Sequence, residues 1–167
     1  MIGVDLDGTI LNYGGHAAGE IRIAVARIGW IAMQAGDIAI LSNQGGVNFH
    51  DANPAKYPSI EQIVARVVAV QKTMRRLDCG RLAHVRMATY HPNADPLRCI
   101  AVAKKLELAL SAHLNARIEV SGAPTWRKPQ PGMFAGLHLA AYVGDSDEDG
   151  LAADAAGVKF LKVERFS

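Results

Sequence analysis

The sequence has few cysteines, few aromatic residues and no long apolar segment. Its two cysteines, Cys79 and Cys99, are too few for a disulfide framework or a four-thiolate zinc site. No run of about eighteen uninterrupted apolar residues occurs, so the sequence predicts no membrane span and no membrane partner. Positive and negative charges nearly balance at a formal net charge of +2, which argues against a dedicated basic arm for nucleic acid.

The composition is that of a globular protein with a substantial core. The chain has 167 residues, 50% of them hydrophobic and 20% charged, which fits one domain that is stable without disulfides. We therefore expect a single domain over residues 1–167. We also expect a cytoplasmic protein with reduced thiols and without a signal peptide, because the first residues belong to a motif described below.

Short apolar runs alternate with longer stretches of helical period, a pattern that predicts an α/β fold with a parallel sheet. Ser59 and Gln62 form a capping-box signature, and Asp95 precedes a proline at the start of another helical stretch. Helices are predicted over residues 19–35, 59–77 and 95–114, and a short one ends at Gly157. Strands are predicted over residues 1–4, 38–41, 82–88, 117–120, 140–143 and 158–163.

Polar residues follow three of these predicted strands. The segments are DLDGT at 5–9, SNQGG at 42–46 and GDSDED at 144–149. Since the carboxyl ends of parallel strands face the ligand crevice of an open sheet, we expect the acidic side chains to converge. Several carboxylates in one small volume require a compensating cation, and oxygen ligands favour Mg²⁺. The carboxylates concerned are Asp5, Asp7, Asp145 and Asp149.

A divalent cation beside free carboxylates suits an anionic substrate such as a phosphate ester. Ser42 offers a hydroxyl, and a glycine-containing turn from Asn43 onward offers backbone N–H groups. Lys128, in the segment RKPQPGM at 127–133, is the best candidate for a fixed cation that stabilises a transferred phosphoryl group. We expect a helix beginning near Gly132 to present it.

Four ordered segments resemble the motifs of the haloacid dehalogenase (HAD) phosphohydrolase superfamily. They are DLDGTI at 5–10, LSNQGG at 41–46, RKPQPGM at 127–133 and VGDSDED at 143–149, and the resemblance covers residues 1 to about 157. It implies a three-layer, Rossmann-like domain around a central parallel sheet. Residues 11–20 are too few for a cap domain, so we expect no large cap, as in the capless subclass III.

The resemblance also implies roles for the acidic residues. Asp5 would be the nucleophile that forms an aspartyl-phosphate, and Asp7 would act first as general acid and then as general base. Members of this fold that cleave carbon–halogen bonds lack the second carboxylate and the metal. The presence of Asp7 therefore favours phosphate ester hydrolysis.

Further positions carry the implied metal and phosphate sites. Magnesium would be held by a carboxylate oxygen of Asp5, the backbone carbonyl of Asp7 and the carboxylate of Asp145, with Asp149 behind them or bound through water. Lys128 would neutralise both the nucleophile and the transferred group. The phosphoryl oxygens would be held by the Ser42 hydroxyl and the backbone amide of Asn43.

The second and third motifs are similar to those of polynucleotide 3'-phosphatases, histidinol-phosphate phosphatases and heptose bisphosphate phosphatases. The last two classes typically carry a cysteine/histidine zinc loop, for which His91, Cys99 and His84 are too few and too irregularly spaced. An open site suits a terminal phosphate on a large molecule. We therefore favour 3'-phosphate removal from polynucleotide ends or nucleotides, with a sugar bisphosphate or histidinol phosphate as the alternative.

Several features near the expected site have two interpretations. Trp126, Arg127 and the loop over residues 47–58 could border the substrate, although packing beside Pro124 explains Trp126 more simply. A non-catalytic phosphate-binding regulatory module is an alternative of another class. Because no cap is expected, a separate kinase chain or a second copy of the protein could complete substrate recognition.

Overall fold

The computed structural model describes residues 1–12 and 22–163, and a parallel six-stranded sheet lies at the centre of this part of the chain. Its strands are β1 (Ile2–Val4), β4 (Asp37–Asn43), β5 (Arg81–Ala88), β6 (Arg117–Ser121), β7 (Ala141–Gly144) and β8 (Phe160–Lys162). Their order across the sheet is β6-β5-β4-β1-β7-β8, so β1 lies between β4 and β7. β2 (Leu11–Asn12) and β3 (Arg22–Ile23) form a separate antiparallel pair.

Four α-helices complete the described architecture: α1 (Val25–Ala35), α2 (Ile60–Leu77), α3 (Pro96–Ser111) and α4 (Asp147–Ala155). Alternate residues of β4 face opposite sides of the sheet, as the period of a strand requires. Ile38 and Ile40 join the core cluster formed with α1, α2 and α3, whereas Ala39 and Leu41 pack with α4 on the other face. The predicted α/β, three-layer, Rossmann-like fold is therefore confirmed.

Most predicted element boundaries agree with the structure within a few residues. The Ser59–Gln62 capping box opens α2, and the Asp95 side chain accepts a hydrogen bond from the Arg98 amide at the start of α3. The predicted strand over 117–120 is β6. Among the described residues, no helix is long and apolar enough to cross a membrane.

Two predicted helices differ from the structure. The helix predicted over 19–35 begins only at Val25, because the preceding β3 pairs with β2 instead of adopting a helical turn. Residues 19–21 of that prediction lie outside the described residues. The helix expected near Gly132 is present only as a short 3₁₀ helix, Pro131–Phe134.

The buried side chain of Arg86 ties β5 to its surroundings. Its Nε pairs with the Glu119 carboxylate on β6, and its Nη1 donates hydrogen bonds to the carbonyls of Met133, at 3.0 Å, and Ala135, at 2.5 Å. Arg86 thereby joins two strands to the segment that follows Lys128. It also lies 5.7 Å from the Trp126 ring centroid, a cation–π distance.

Replacing Arg86 should therefore destabilise the fold. Arg86→Met leaves two carbonyls without their donor and the Glu119 carboxylate with only the exposed Arg117 as its partner, and we expect the free energy of unfolding in urea to fall by about 2–3 kcal/mol. Arg81→Met is the matched control on the same strand, because the Arg81–Asp37 pair is exposed and should contribute less than about 1 kcal/mol. Equal losses for the two variants would contradict this role.

Candidate active site

A cavity of about 400 Å³ lies at the carboxyl end of β1, β4 and β7. The loops that follow these three strands are far apart in sequence, but the sheet order places their strands side by side. Of the residues that the motifs single out, the cavity is lined by Asp5, Asp7, Ser42, Asn43, Arg127, Lys128, Asp145 and Asp149.

The ammonium group of Lys128 lies at the centre of the polar network beneath this cavity. The residue is 3% exposed, and its Nζ lies 2.6 Å from Asp5 Oδ1 and 2.5 Å from Asp149 Oδ1. The Tyr142 hydroxyl at 2.9 Å and the Leu41 carbonyl at 3.1 Å complete its surroundings. Burial by itself lowers the pKa of Lys128, but the two carboxylates outweigh it and raise the pKa above its ordinary value, so the group stays charged.

Asn43 at the end of β4 fixes the backbone of Lys128. The Asn43 side chain accepts a 3.0 Å hydrogen bond from the Lys128 amide and donates a 3.2 Å bond to the Lys128 carbonyl. The sequence predicted that a helix beginning near Gly132 would present Lys128 to the site. In the structure, this reciprocal pair of bonds positions the lysine. The lysine is thus presented to the site from an irregular segment that is bonded to a strand.

Three carboxylates meet beside Lys128. One oxygen from each of Asp5, Asp145 and Asp149 lies within 4.8 Å of the other two. Gly8 makes this approach possible, because its φ is +81° and a Cβ there would lie 2.0 Å from Asp145 Oδ2. The glycine of the first motif therefore meets both a conformational and a steric requirement of the cluster.

The electrostatics of the cluster indicate a shortage of positive charge. Burial raises the pKa of Asp5 to about 7 despite the attraction of Lys128, and the Asp149 carboxylate adds to the rise. Desolvation and Asp149 also raise the pKa of Asp145. Burial opposes ionisation of Asp149 too, but its bonds to Lys128 and Ser146 lower its pKa below the ordinary value. Lys128 alone does not neutralise the cluster, and a cation bound by carboxylate oxygens would complete the balance.

The side chain of Asp7 lies in the same cavity but has different partners. Its Oδ2 accepts a 2.7 Å hydrogen bond from Gln44 Nε2, and its Oδ1 lies 3.4 Å from a guanidinium nitrogen of Arg66 on α2. The same Gln44 nitrogen also donates to Ser42 Oγ at 3.0 Å. Asp7 is 20% exposed and is thus held at the cavity, outside the carboxylate cluster.

The sequence interpretation assigned no role to three residues of this site. Gln44 lies inside the second motif but carries no charge, and Arg66 is one of several cations on a helix. Tyr142 lies within an apolar strand, yet its hydroxyl contacts Lys128 and Asp149. The alternation of β7 could have placed Tyr142 on a sheet face, but not its hydroxyl against Lys128.

The structure separates the two side chains predicted to border the substrate. Arg127 lines the cavity, but Trp126 does not, because its indole packs near Arg86 and against the apolar residues on the α4 face of the sheet. Of the two interpretations of Trp126, packing is therefore the one that agrees with the structure. Within the described residues, the three-aspartate cluster is the group with metal-ligand geometry, and it includes neither His91 nor Cys99.

Comparison of the sequence with protein-family models gave no match, and comparison with curated proteins gave none. The protein has a Rossmann-like α/β fold in which an acidic cluster that could hold a metal ion lies at the carboxyl edge of the sheet.

The cluster predicts that a divalent cation stabilises the protein. Added Mg²⁺ or Mn²⁺ should raise the melting temperature, and Asp145→Asn should reduce this rise severalfold because one ligand carboxylate is lost. The matched control is Asp154→Asn, which removes an exposed carboxylate of α4 that is not part of the cluster. Thermal unfolding with and without metal measures the rise in melting temperature. An equal rise in both variants would contradict a specific metal site.

Proposed function

We propose that the protein is a metal-dependent phosphomonoesterase of the HAD type that acts through an aspartyl-phosphate on Asp5. The observation that supports this most strongly is the environment of Asp5. Its carboxylate is buried, bonded to a charged lysine and grouped with two further carboxylates, while Asp7 stands apart in the same cavity. Two carboxylates in such different environments suit a nucleophile and an acid–base group.

In the first step, a carboxylate oxygen of Asp5 attacks phosphorus as the bond to the leaving oxygen breaks. Asp7 in its acid form gives its proton to that oxygen, so the substrate departs as an alcohol. In the second step, Asp7 as a carboxylate takes a proton from water, and the resulting oxygen attacks phosphorus. The Asp5–phosphate bond then breaks, which releases phosphate and restores both carboxyl groups.

Ser42, Asn43 and Lys128 are suited to hold the phosphoryl group. Gln44 donates to the Ser42 oxygen, which leaves the hydroxyl of Ser42 as a donor for a phosphoryl oxygen. The Asn43 side chain is bonded to the Lys128 backbone, so its contribution is its main-chain N–H. Lys128 offsets the charge of the nucleophile and of the transferred group.

The donor set of the cluster fits a hard divalent cation such as Mg²⁺. When bound by the carboxylates of Asp5 and Asp145 and the main-chain carbonyl of Asp7, the ion would draw negative charge from the phosphoryl oxygens. Asp149 is suited to a supporting role, because Oδ1 accepts from Lys128 and Oδ2 accepts from Ser146. It orients the lysine beside the nucleophile.

Removing the nucleophile tests the proposal most simply. Asp5→Asn should lower magnesium-dependent phosphate release from an aryl phosphate by roughly a thousandfold or more, because the amide cannot form the intermediate. Asp154→Asn should retain activity, and circular dichroism should show that both variants are folded. Unchanged turnover of purified Asp5→Asn protein would end the proposal.

The contacts of Asp7 predict a leaving-group effect for Gln44. Gln44→Ala removes the donor that positions Asp7, so kcat/KM for phenyl phosphate should fall roughly tenfold more than kcat/KM for 2,4-dinitrophenyl phosphate. The reason is that dinitrophenolate leaves without a proton, whereas a poor leaving group needs the acid.

Gln130→Ala is the control for this experiment, since Gln130 is exposed on the segment that follows Lys128 and does not line the cavity. It should leave the ratio of the two kcat/KM values unchanged. If Gln44→Ala reduces both values by the same factor, Gln44 supports the fold of the loop and does not position the acid.

A further inference from the structure

The cavity is lined by charged groups beyond the carboxylate cluster and Lys128. The carboxylate cluster lies at the ends of β1 and β7, with Lys128 beneath it. Two other cations of the cavity come from different segments: Lys56 from the loop over residues 47–58, and Arg127 from the segment before Lys128. The proposed chemistry uses neither of them.

Aromatic rings hold this second side of the cavity together. The ring of Phe49 lies 5.4 Å from that of Tyr57 and 4.9 Å from that of His91, measured between centroids. Lys56 Nζ lies 5.1 Å from the Tyr57 centroid, which keeps the ammonium over the ring. Tyr57 and His91 line the cavity as well, so aromatic and cationic groups share one surface.

Arg127 belongs to the same surface. One of its guanidinium nitrogens lies 3.4 Å from the Tyr90 carbonyl, which anchors the side chain next to His91. Burial lowers the pKa of His91 and the charge of Arg127 lowers it further, so the imidazole is neutral at neutral pH and the positive charge is that of Arg127 and Lys56. We call Lys56, Tyr57, His91 and Arg127 the cationic wall.

The two cations of the cationic wall lack an acidic partner in the part of the chain that the structure describes. Arg66 and Lys128, by contrast, pair with aspartates of the same cavity. Partnerless cations around a cavity attract an anion, and a guanidinium bonded to only one carbonyl retains donors for a phosphate oxygen. In the proposed function, the phosphate that is cleaved binds beside the carboxylate cluster, at Ser42, Asn43 and Lys128. The cationic wall therefore fits a different anionic group.

We propose that the cationic wall binds a second phosphate group, carried by the part of the substrate that leaves. This proposal rests on the proposed phosphatase function and narrows its substrate class. It favours substrates with two phosphate groups, namely nucleoside 3',5'-bisphosphates and sugar bisphosphates. It disfavours histidinol phosphate, because the leaving alcohol of that substrate carries an ammonium group that the wall would repel.

The test compares paired substrates that differ by one phosphate. The ratio of kcat/KM for adenosine 3',5'-bisphosphate over adenosine 3'-monophosphate should be at least tenfold for the wild-type protein. Fructose 1,6-bisphosphate and fructose 6-phosphate form the second pair. A tenfold higher kcat/KM for the bisphosphate in either pair supports the proposal. The pair with the larger ratio shows whether a nucleoside or a sugar carries the second phosphate. Ratios near one in both pairs would overturn the proposal.

Single substitutions then test whether the preference for bisphosphates depends on the cationic wall. Arg127→Met and Lys56→Met should each reduce the ratio severalfold, whereas Lys104→Met, which removes an exposed cation of α3 outside the cavity, should not. An undiminished ratio in both wall variants would overturn the assignment to these residues, even if the wild-type protein prefers bisphosphates.

A binding measurement separates this proposal from the proposed function. Calorimetry with the Asp5→Asn protein should give a dissociation constant severalfold lower for the bisphosphate than for the monophosphate. Arg127→Met in the same background should remove the difference. Such a result supports the wall even if the wild-type protein hydrolyses neither compound. Equal affinities would reject the wall even if phosphatase activity is found.

Discussion

The buried ammonium of Lys128 is the interaction on which the site depends. Removing a charged lysine from water is costly, and only close ionic partners offset that cost. Its partners lie in β4, β7 and α4 and directly after β1, so one side chain links four separate parts of the fold beneath the cavity. The sheet order makes this possible, because β1 lies between β4 and β7.

The acidic residues of the cavity fall into two groups, those that cluster beside Lys128 and Asp7, which has other partners. Asp5 and Asp149 share Lys128, and with Asp145 they form a cluster that one ammonium does not neutralise. The rise in the pKa of Asp5 to about 7 is a consequence of that burial and crowding. Asp7, two residues after Asp5, instead contacts Gln44 and Arg66. A short motif thus places two carboxylates in one cavity with unlike surroundings, as the proposed acid–base mechanism requires.

The sequence allowed the sheet, most helix boundaries and the grouping of polar strand ends to be predicted, because alternation, capping residues and glycines act locally. The start of α1 could not be predicted, since the pairing of Arg22–Ile23 with Leu11–Asn12 is a contact between separate segments. Trp126 beside Pro124 could border a substrate or pack, and its tertiary contacts with the apolar residues on the α4 face of the sheet and with Arg86 decide for packing. The role of Gln44 likewise depends on where its uncharged side chain points.

The most direct measurement is chemical trapping of the intermediate that the account requires. Borohydride reduction of protein quenched during turnover with magnesium and a phosphate monoester should convert the phosphorylated aspartate to homoserine, and peptide mass spectrometry should locate it at position 5. Homoserine at Asp5 is the predicted result. Steady turnover with no modified residue, or with the modification at another position, would contradict the account.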